Sequence, residues 1–272
     1  MATTDLLNRG DAPFSDKVWA AIDAAVVGAA KSQLGARRVL PVQGPFGLGL
    51  KSLPVRDEPS AEGLTPDRAV MVGAAPQPVV SIASGFRLAA RDIAAFEERG
   101  MALDLGEAAR AAIAVAFQED ALIFNGAKDA GVDGLLTAKG VQSAKLKDWA
   151  QIGTAATDII EAVTKLDAAG FHGPYALALA PDRYNLLLRR YPQGNGTELE
   201  HLRLIATEGV AKAAGIRAGA VLLASGAQYS SIVLGQDLMA GFVGPAGRDY
   251  ELTVSESLAL RLLQPASVVV LK

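Results

Sequence analysis

An α+β protein that packs against copies of itself is what this sequence predicts. Three observations lead there. One long helix pattern, Asp104 to Gly126, is rich in alanine. Short strand patterns crowd the last forty or so residues, downstream of a region that alternates helix and strand. Between Leu48 and Ser84 runs an extended segment punctuated by Pro54, Pro59, Pro66, Pro76 and Pro78, which forbid a continuous helix.

The long helix is the expected spine. Asp104 followed by Glu107 fits a capping box in its Asp variant. Ala108, Ala109, Ala112, Ile113, Ala116, Phe117, Ile123 and Phe124 recur at helical spacing as an apolar stripe. Asn125-Gly126 supplies a left-handed stop. About 18 helical residues would span about 27 Å, enough to cross a domain. Glu119-Asp120 reads as a structural charge pair with neighbouring arginines rather than a catalytic one.

The 272 residues suffice for one large domain or two small ones. Half are hydrophobic, and mean hydropathy is +0.25. No apolar run reaches the length of a membrane-spanning helix, so the surplus is expected in a generous core or between subunits. The 28 glycines and many alanines favour close approach of backbones between subunits. The first residues lack the basic start and apolar core of a signal peptide, so a cytoplasmic location is expected. Without cysteine, disulfides and thiolate metal sites are excluded. A net charge of −3 with scattered basic residues gives no nucleic-acid footprint.

In chain order, residues 1–13 read as a polar tail. Ser15 is placed as an N-cap, with Phe14 able to staple onto the first turn. Trp19, Ile22, Val26, Ala30 and Leu34 share one face of the helix that follows. That face packs on the core; a second one, through Val27 and Ala30, is the alternative seat for a partner peptide. Arg37–Val42 reads as a short strand running into the turn Gly44-Pro45-Phe46-Gly47. Two extended limbs, around Leu48–Val55 and Val70–Ile82, flank the polar centre Arg56–Asp67 and read as a projecting arm. A two-stranded arm is not stable alone, so it needs another surface. Phe86 to Arg99 starts as strand and continues as helix to Gly100.

After the spine, Thr154–Ala169 reads as a helix with Ile152, Ala156, Ile159, Ile160, Val163 and Leu166 on one face. Tyr175–Ala180 is a strand. Pro181 opens a helix through Arg190. Glu198–Leu204 is a further helix, and Val221–Ala224 is a buried strand. Short strands are then expected at Ser231–Leu234, Leu238–Val243, Tyr250–Val254, Leu258–Leu263 and Val268–Leu271.

Catalytic patterns fail on spacing. In Gly44 to Ser52, Leu50 intervenes before Lys51, so the lysine is misplaced for a phosphate loop. His172 and His201 stand in no metal spacing, and adjacent positions such as Glu198, Glu200 and His201 do not face one site on a helix. No Gly-x-Ser-x-Gly elbow occurs.

Several blocks resemble the encapsulin shell proteins, the linocin-like bacteriocin family. They are Ala36-Arg37-Arg38-Val39 with Gly44-Pro45-Phe46-Gly47, Glu119-Asp120 with Leu122 to Gly126, Gly131 to Leu136, and Leu234-Gly235-Gln236-Asp237-Leu238 with Gly241-Phe242. The resemblance runs from about Trp19 to Val270. It implies the tailed-phage major capsid protein fold (Hong Kong 97 type): a peripheral domain of 1–47, 85–133 and 228–272, an extended loop of 48–84, and an axial domain of 134–227.

The resemblance also implies a non-enzymatic role. Sixty or more copies would close an icosahedral nanocompartment around a cargo enzyme, of the ferritin-like iron oxidase or dye-decolourising peroxidase type, and pores would filter small solutes. Cargo would dock through a C-terminal targeting peptide on Val26, Val27, Ala30, Leu34, Asp237, Leu238 and Ala240. The pore tip would fall at Gln193, Asn195, Thr197 and Glu198. No cofactor and no metal are expected: some members hold flavin through a tryptophan just after the extended loop, and Arg91 occupies that position. Neither nucleic acid nor membrane is an expected partner. The rival reading is a phage-type capsid protein that packages DNA.

Overall fold

A computed structural model describes residues 6–54, 76–192, 194 and 196–272. Two sheets share one long helix. The first has the order β1-β11-β12-β4, where β1 is Val42–Gln43, β11 Ser230–Ala246, β12 Asp249–Leu262 and β4 Val80–Ala89. The second has the order β7-β13-β10-β8-β9, where β7 is Gln142–Ala144, β13 Val268–Leu271, β10 Ala220–Ala224, β8 Tyr175–Leu179 and β9 Gly209–Lys212. Two short antiparallel pairs are also present among the described residues, β2 (Ser52–Leu53) with β3 (Gln77–Pro78) and β5 (Gly126–Ala127) with β6 (Val132–Asp133).

Helix α1 (Asp16–Gln33) buries Val18, Trp19, Ile22, Val26 and Ala30 against the first sheet and the spine, as its 3–4 spacing requires. The expected staple forms. The Phe14 ring lies 5.2 Å from Trp19, four positions into the helix, and also meets Phe242 and Tyr250. Ser15 sits at the N-cap, but its side chain makes no capping bond; its backbone N–H donates to Glu97. The expected free tail is instead tied down from Leu7. Phe242 N–H donates to Leu7 O, and Arg9 stacks 4.2 Å over Trp19 while pairing with Asp23. Helix α2 (Ala90–Arg99) ends where the glycine pattern requires, on left-handed Gly100.

The spine, α3, runs from Gly106 to Asn125. The expected capping box does not form: Asp104 accepts from Gly106 N–H, while Glu107 turns away to accept from Arg87 N–H. The apolar stripe is also rotated from the expected one. Ala108, Ala111, Ala112, Val115 and Ala116 are buried, whereas Ile113 and Phe117 are exposed. Alanines win the inner face because α1 and the sheet both press on it.

At its C-terminus the spine enters the junction of the two sheets. Ile123 and Phe124 are fully buried among residues of β8, β10, β11 and β12. The strand Tyr175–Leu179 is buried on both faces, and its alternation sorts by size. Ala176 and Ala178 face the spine's end, while Tyr175, Leu177 and Leu179 face α4 (Thr154–Ala168) and α6 (Glu198–Ile205). The stripe expected on α4 is mostly right, but Ile160 is half exposed and Ala155 and Ala162 are buried in its place. Pro181 opens α5 at its first position, and this helix stops at Leu186 rather than Arg190.

Several boundaries differ from the sequence expectation. Arg37–Val42 is not a strand: it begins in a 3-10 turn, Ala36–Arg38, and only Val42, with Gln43, enters a strand. Four expected short strands are two long ones: β11 and β12 pair along nearly their whole length, and bulges between Leu234 and Met239 and near Gly244 produce the apparent breaks. Val80–Ser84, expected in the arm, is core sheet paired to β12. The arm's centre lies outside the described residues. Val268–Leu271, expected in the peripheral part, lies between β7 and β10 in the second sheet. The last strand therefore laces the expected axial part to the other.

Beyond the spine the chain doubles back. Leu135 and Leu136 N–H donate to Ile123 and Phe124 carbonyls at 2.9 and 2.8 Å, satisfying the helix's free C-terminal acceptors. Gly134 crosses the helix end so closely that a Cβ there would lie 2.6 Å from backbone carbons of Phe124 and Asn125. Gly134→Ala should therefore lower stability by about 3 kcal/mol or leave the chain insoluble. Urea unfolding indistinguishable from wild type would contradict this packing.

Candidate functional site: an ion cluster and the surfaces it holds

The residues singled out in sequence as separate blocks meet at one point. Arg37, in the turn after α1, forks onto Glu119 of the spine, with Nε to Oε1 at 2.8 Å and Nη2 to Oε2 at 2.7 Å. Its Nη1 donates to Asp237 of β11 at 2.8 Å, and Nη2 also to Glu256 of β12 at 2.9 Å. One guanidinium thus ties α1, the spine and both long strands. Beside it Asp120 accepts from Gly35 N–H and Ala36 N–H at 2.8–3.0 Å. Gly35 has to be glycine for this approach: a Cβ would stand 2.7 Å from the Asp120 carboxylate. The expectation of a structural pair with arginine holds for Glu119. Asp120 instead caps backbone.

The charges do not balance, since one arginine faces three carboxylates. Glu119 and Glu256 are buried, and Oε1 of Glu256 has no hydrogen-bond partner among the described residues. Burial, then the Glu119 charge, pushes the Glu256 carboxyl up to about 9, so it holds a proton at neutral pH. Burial also pushes Asp120 up to about 6, against the two backbone donors. Burial opposes the Arg37 charge, but the hydrogen bonds and charge of Glu119 outweigh it and raise Arg37 further.

The residues expected to seat a peptide fall into two groups. Val26, Ala30, Leu34, Leu238 and Ala240 are buried in one shared cluster and are core, not groove. Val27 is exposed, and Asp237 is half exposed but engaged by Arg37. The free face of α1 is Ala20, Ala24, Val27 and Lys31, a stripe of mostly small side chains. Amphipathic spacing identified the buried face correctly.

The expected pore tip changes in the same way. Gln193 and Asn195 lie outside the described residues. Thr197 is the N-cap of α6 and forms a complete capping box with Glu200. Glu198 is not a solvent-facing acid: it is 1% exposed, accepts from Gly153 N–H, and pairs with Arg189 at 2.9 Å. Arg189 also donates to the Trp149 and Ala150 carbonyls, so this pair anchors the base of the tip to the start of α4. Arg91 is exposed on α2. Among the described residues no group of three His, Cys, Asp or Glu could hold a metal ion, and no helix is long and apolar enough to cross a membrane.

A long helix crossing a four-stranded sheet, with a second five-stranded lobe at its end, defines a capsid-subunit architecture. The fold matches a solved virus-like particle from Pyrococcus furiosus with a TM-score of 0.72 at 21% identity, covering 94% of this chain and all of that one. It also matches the capsid of Myoviridae phage XM1, with a TM-score of 0.57 at 13% identity, covering 87% and 90%. The tailed-phage capsid fold is therefore established. A family model described as encapsulating protein for peroxidase matches residues 4–259. A type 1 encapsulin shell protein of Myxococcus xanthus is 32% identical over 98% of this chain and 96% of its own length. The chain belongs to this encapsulin (linocin) family.

Two outcomes test the cluster. Arg37→Ala strands the buried Glu119 carboxylate and leaves Glu256 without its donor, and should cost about 3–5 kcal/mol in urea unfolding; a loss under about 1 kcal/mol would remove Arg37 from its central place. For Glu256 the folded value lies above the ordinary 4.5, so the native state binds the extra proton. Its stabilising contribution is complete below about pH 4.5 and is lost as pH rises towards about 9. Glu256→Gln keeps the neutral state and should flatten that alkaline decline in thermal unfolding. An unchanged decline would mean that Glu256 is ionised in the fold.

Proposed function

We propose that this chain is the structural subunit of a closed icosahedral shell, an encapsulin nanocompartment that encloses a cargo enzyme. The family match along nearly the whole chain, on a capsid fold, carries the reading. Surface chemistry agrees with it. Val42, Phe46, Leu48, Ile113, Phe117 and Val243 are large apolar side chains left exposed on a single copy. Such side chains gain about 25 cal/mol per Å² of apolar surface when a neighbouring copy covers them. A subunit that forms heterologous contacts closing on themselves needs these faces on different sides.

The finer picture follows the family. Sixty or more copies form the shell in the cytoplasm. A peroxidase or a ferritin-like iron oxidase is the enclosed cargo, held by a C-terminal targeting peptide. The exposed stripe of α1 at Ala20, Ala24 and Val27 is the surface available for that peptide, since the other side chains first assigned to it are buried. A pore rim near Thr197 stays part of this reading, beside the Arg189–Glu198 pair.

Electron microscopy of the protein expressed alone should show uniform closed particles eluting in the void volume on size exclusion. A monomer or small oligomer would overturn the shell reading. Particles filled with DNA would favour a phage-type capsid. Val27→Glu should leave the shells intact and reduce co-purified cargo several-fold when the cognate enzyme is co-expressed. Undiminished cargo would exclude the α1 face.

A further inference from the structure

We propose that the cleft between the end of α1 and the α5–α6–β9 face binds a phosphate-class oxyanion, either inorganic phosphate or the phosphate group of a small phosphorylated molecule. The cleft has a volume of about 410 Å³, within the range of small-ligand sites. Three cations from three elements line it: Arg38 from the turn after α1, Arg203 from α6 and Lys212 from β9. Among the described residues its lining contains no Asp or Glu.

None of the three cations is neutralised by a bonded carboxylate among the described residues. Arg38 Nη2 donates to the Lys31 and Ser32 carbonyls at the end of α1, which fixes the guanidinium without consuming its charge. Lys212 Nζ donates to Asn185 Oδ1 at 2.7 Å and sits 5.1 Å over the Tyr184 ring, so its ammonium is also held in place. Arg203 has no hydrogen bond or ion pair among the described residues; Glu200 acts on it only through its charge. The nearby acids are already engaged, Glu200 by the Thr197 cap and Asp120 by Gly35 and Ala36.

Donor count and geometry select the ligand. Two guanidinium groups and an ammonium share the cleft lining with Ser32, Gln33 and Tyr184, and Ser32 Oγ already donates to Ala29 O and accepts from Gln33 Nε2. A carboxylate offers two oxygens and one charge for three cations, whereas a phosphate offers three or four oxygens and up to two charges. Like charges facing each other across a cleft repel, and a bound dianion turns this repulsion into attraction. Ser32, Gln33 and Arg38 belong to the α1 side, and Tyr184, Arg203 and Lys212 to the second-sheet side. A bound anion would therefore bridge the two lobes. This inference does not depend on the shell reading.

The test is isothermal titration calorimetry of the assembled full-length protein with inorganic phosphate at fixed ionic strength. The expected result is saturable binding at one site per chain, weakened about tenfold or more in R203Q/K212Q and unchanged in R217Q, which alters an exposed arginine outside the cleft. If the double variant fails to assemble, R203Q alone, at an exposed residue without a bonded partner, should still weaken binding several-fold. Adenosine monophosphate in parallel separates the sources: tighter binding than phosphate assigns a phosphorylated small molecule, and equal binding assigns inorganic phosphate. No saturable heat, or equal affinity in R203Q/K212Q, overturns the site. Loss of assembly in both variants without phosphate binding by wild type also overturns it and gives the cleft to a contact between copies.

Discussion

The structure depends on one guanidinium. Arg37 holds Glu119, Asp237 and Glu256 at once, so the turn after α1, the spine and the two longest strands meet in a single hydrogen-bonded point. Buried charge of this kind is costly unless every partner is satisfied. Here the fork on Glu119 is bidentate, and burial with the neighbouring Glu119 charge drives the Glu256 carboxyl towards its neutral form. The arrangement fixes register more than it adds stability. A slip of β11 or β12 by one residue would turn Asp237 or Glu256 to the other face of the sheet and break the cluster.

Around this point the two lobes share material rather than merely touching. The spine's C-terminal turn fills the space between the sheets, and β13 returns from the first lobe to become an inner strand of the second. A shell subunit carries load from its neighbours, and a chain laced in this way cannot hinge at a simple linker. The Arg189–Glu198 pair repeats the device at a smaller scale, tying the start of α6 to the start of α4.

Much of the architecture was legible in the residues. The staple of Phe14 on Trp19, the inward face of α1, the left-handed stop at Gly100 and Pro181 at a helix start are local effects, and local spacing reveals them. The site was less legible, for a consistent reason. Val26, Ala30, Leu238 and Ala240, grouped by the resemblance, share one buried cluster, and whether neighbours form a wall or a core depends on what else packs there. Glu198 looked like a free acid because its partners, Arg189 and Gly153 N–H, are placed by a fold-level turn. Glu256 carried no local signal at all: it is an isolated acid in a strand, and only strand register brings it to Arg37.

The sequence by itself determined the elements, the family and the absence of thiol chemistry, because periodicity, caps, composition and motif blocks are short-range properties. Tertiary structure decided which face of the spine is inner, where Val268–Leu271 belongs, and which polar residues are buried. Those outcomes follow from competition among distant segments for the same space. At the spine the alanines prevailed over Ile113 and Phe117 because two elements press on that side, leaving the larger side chains on the exposed face.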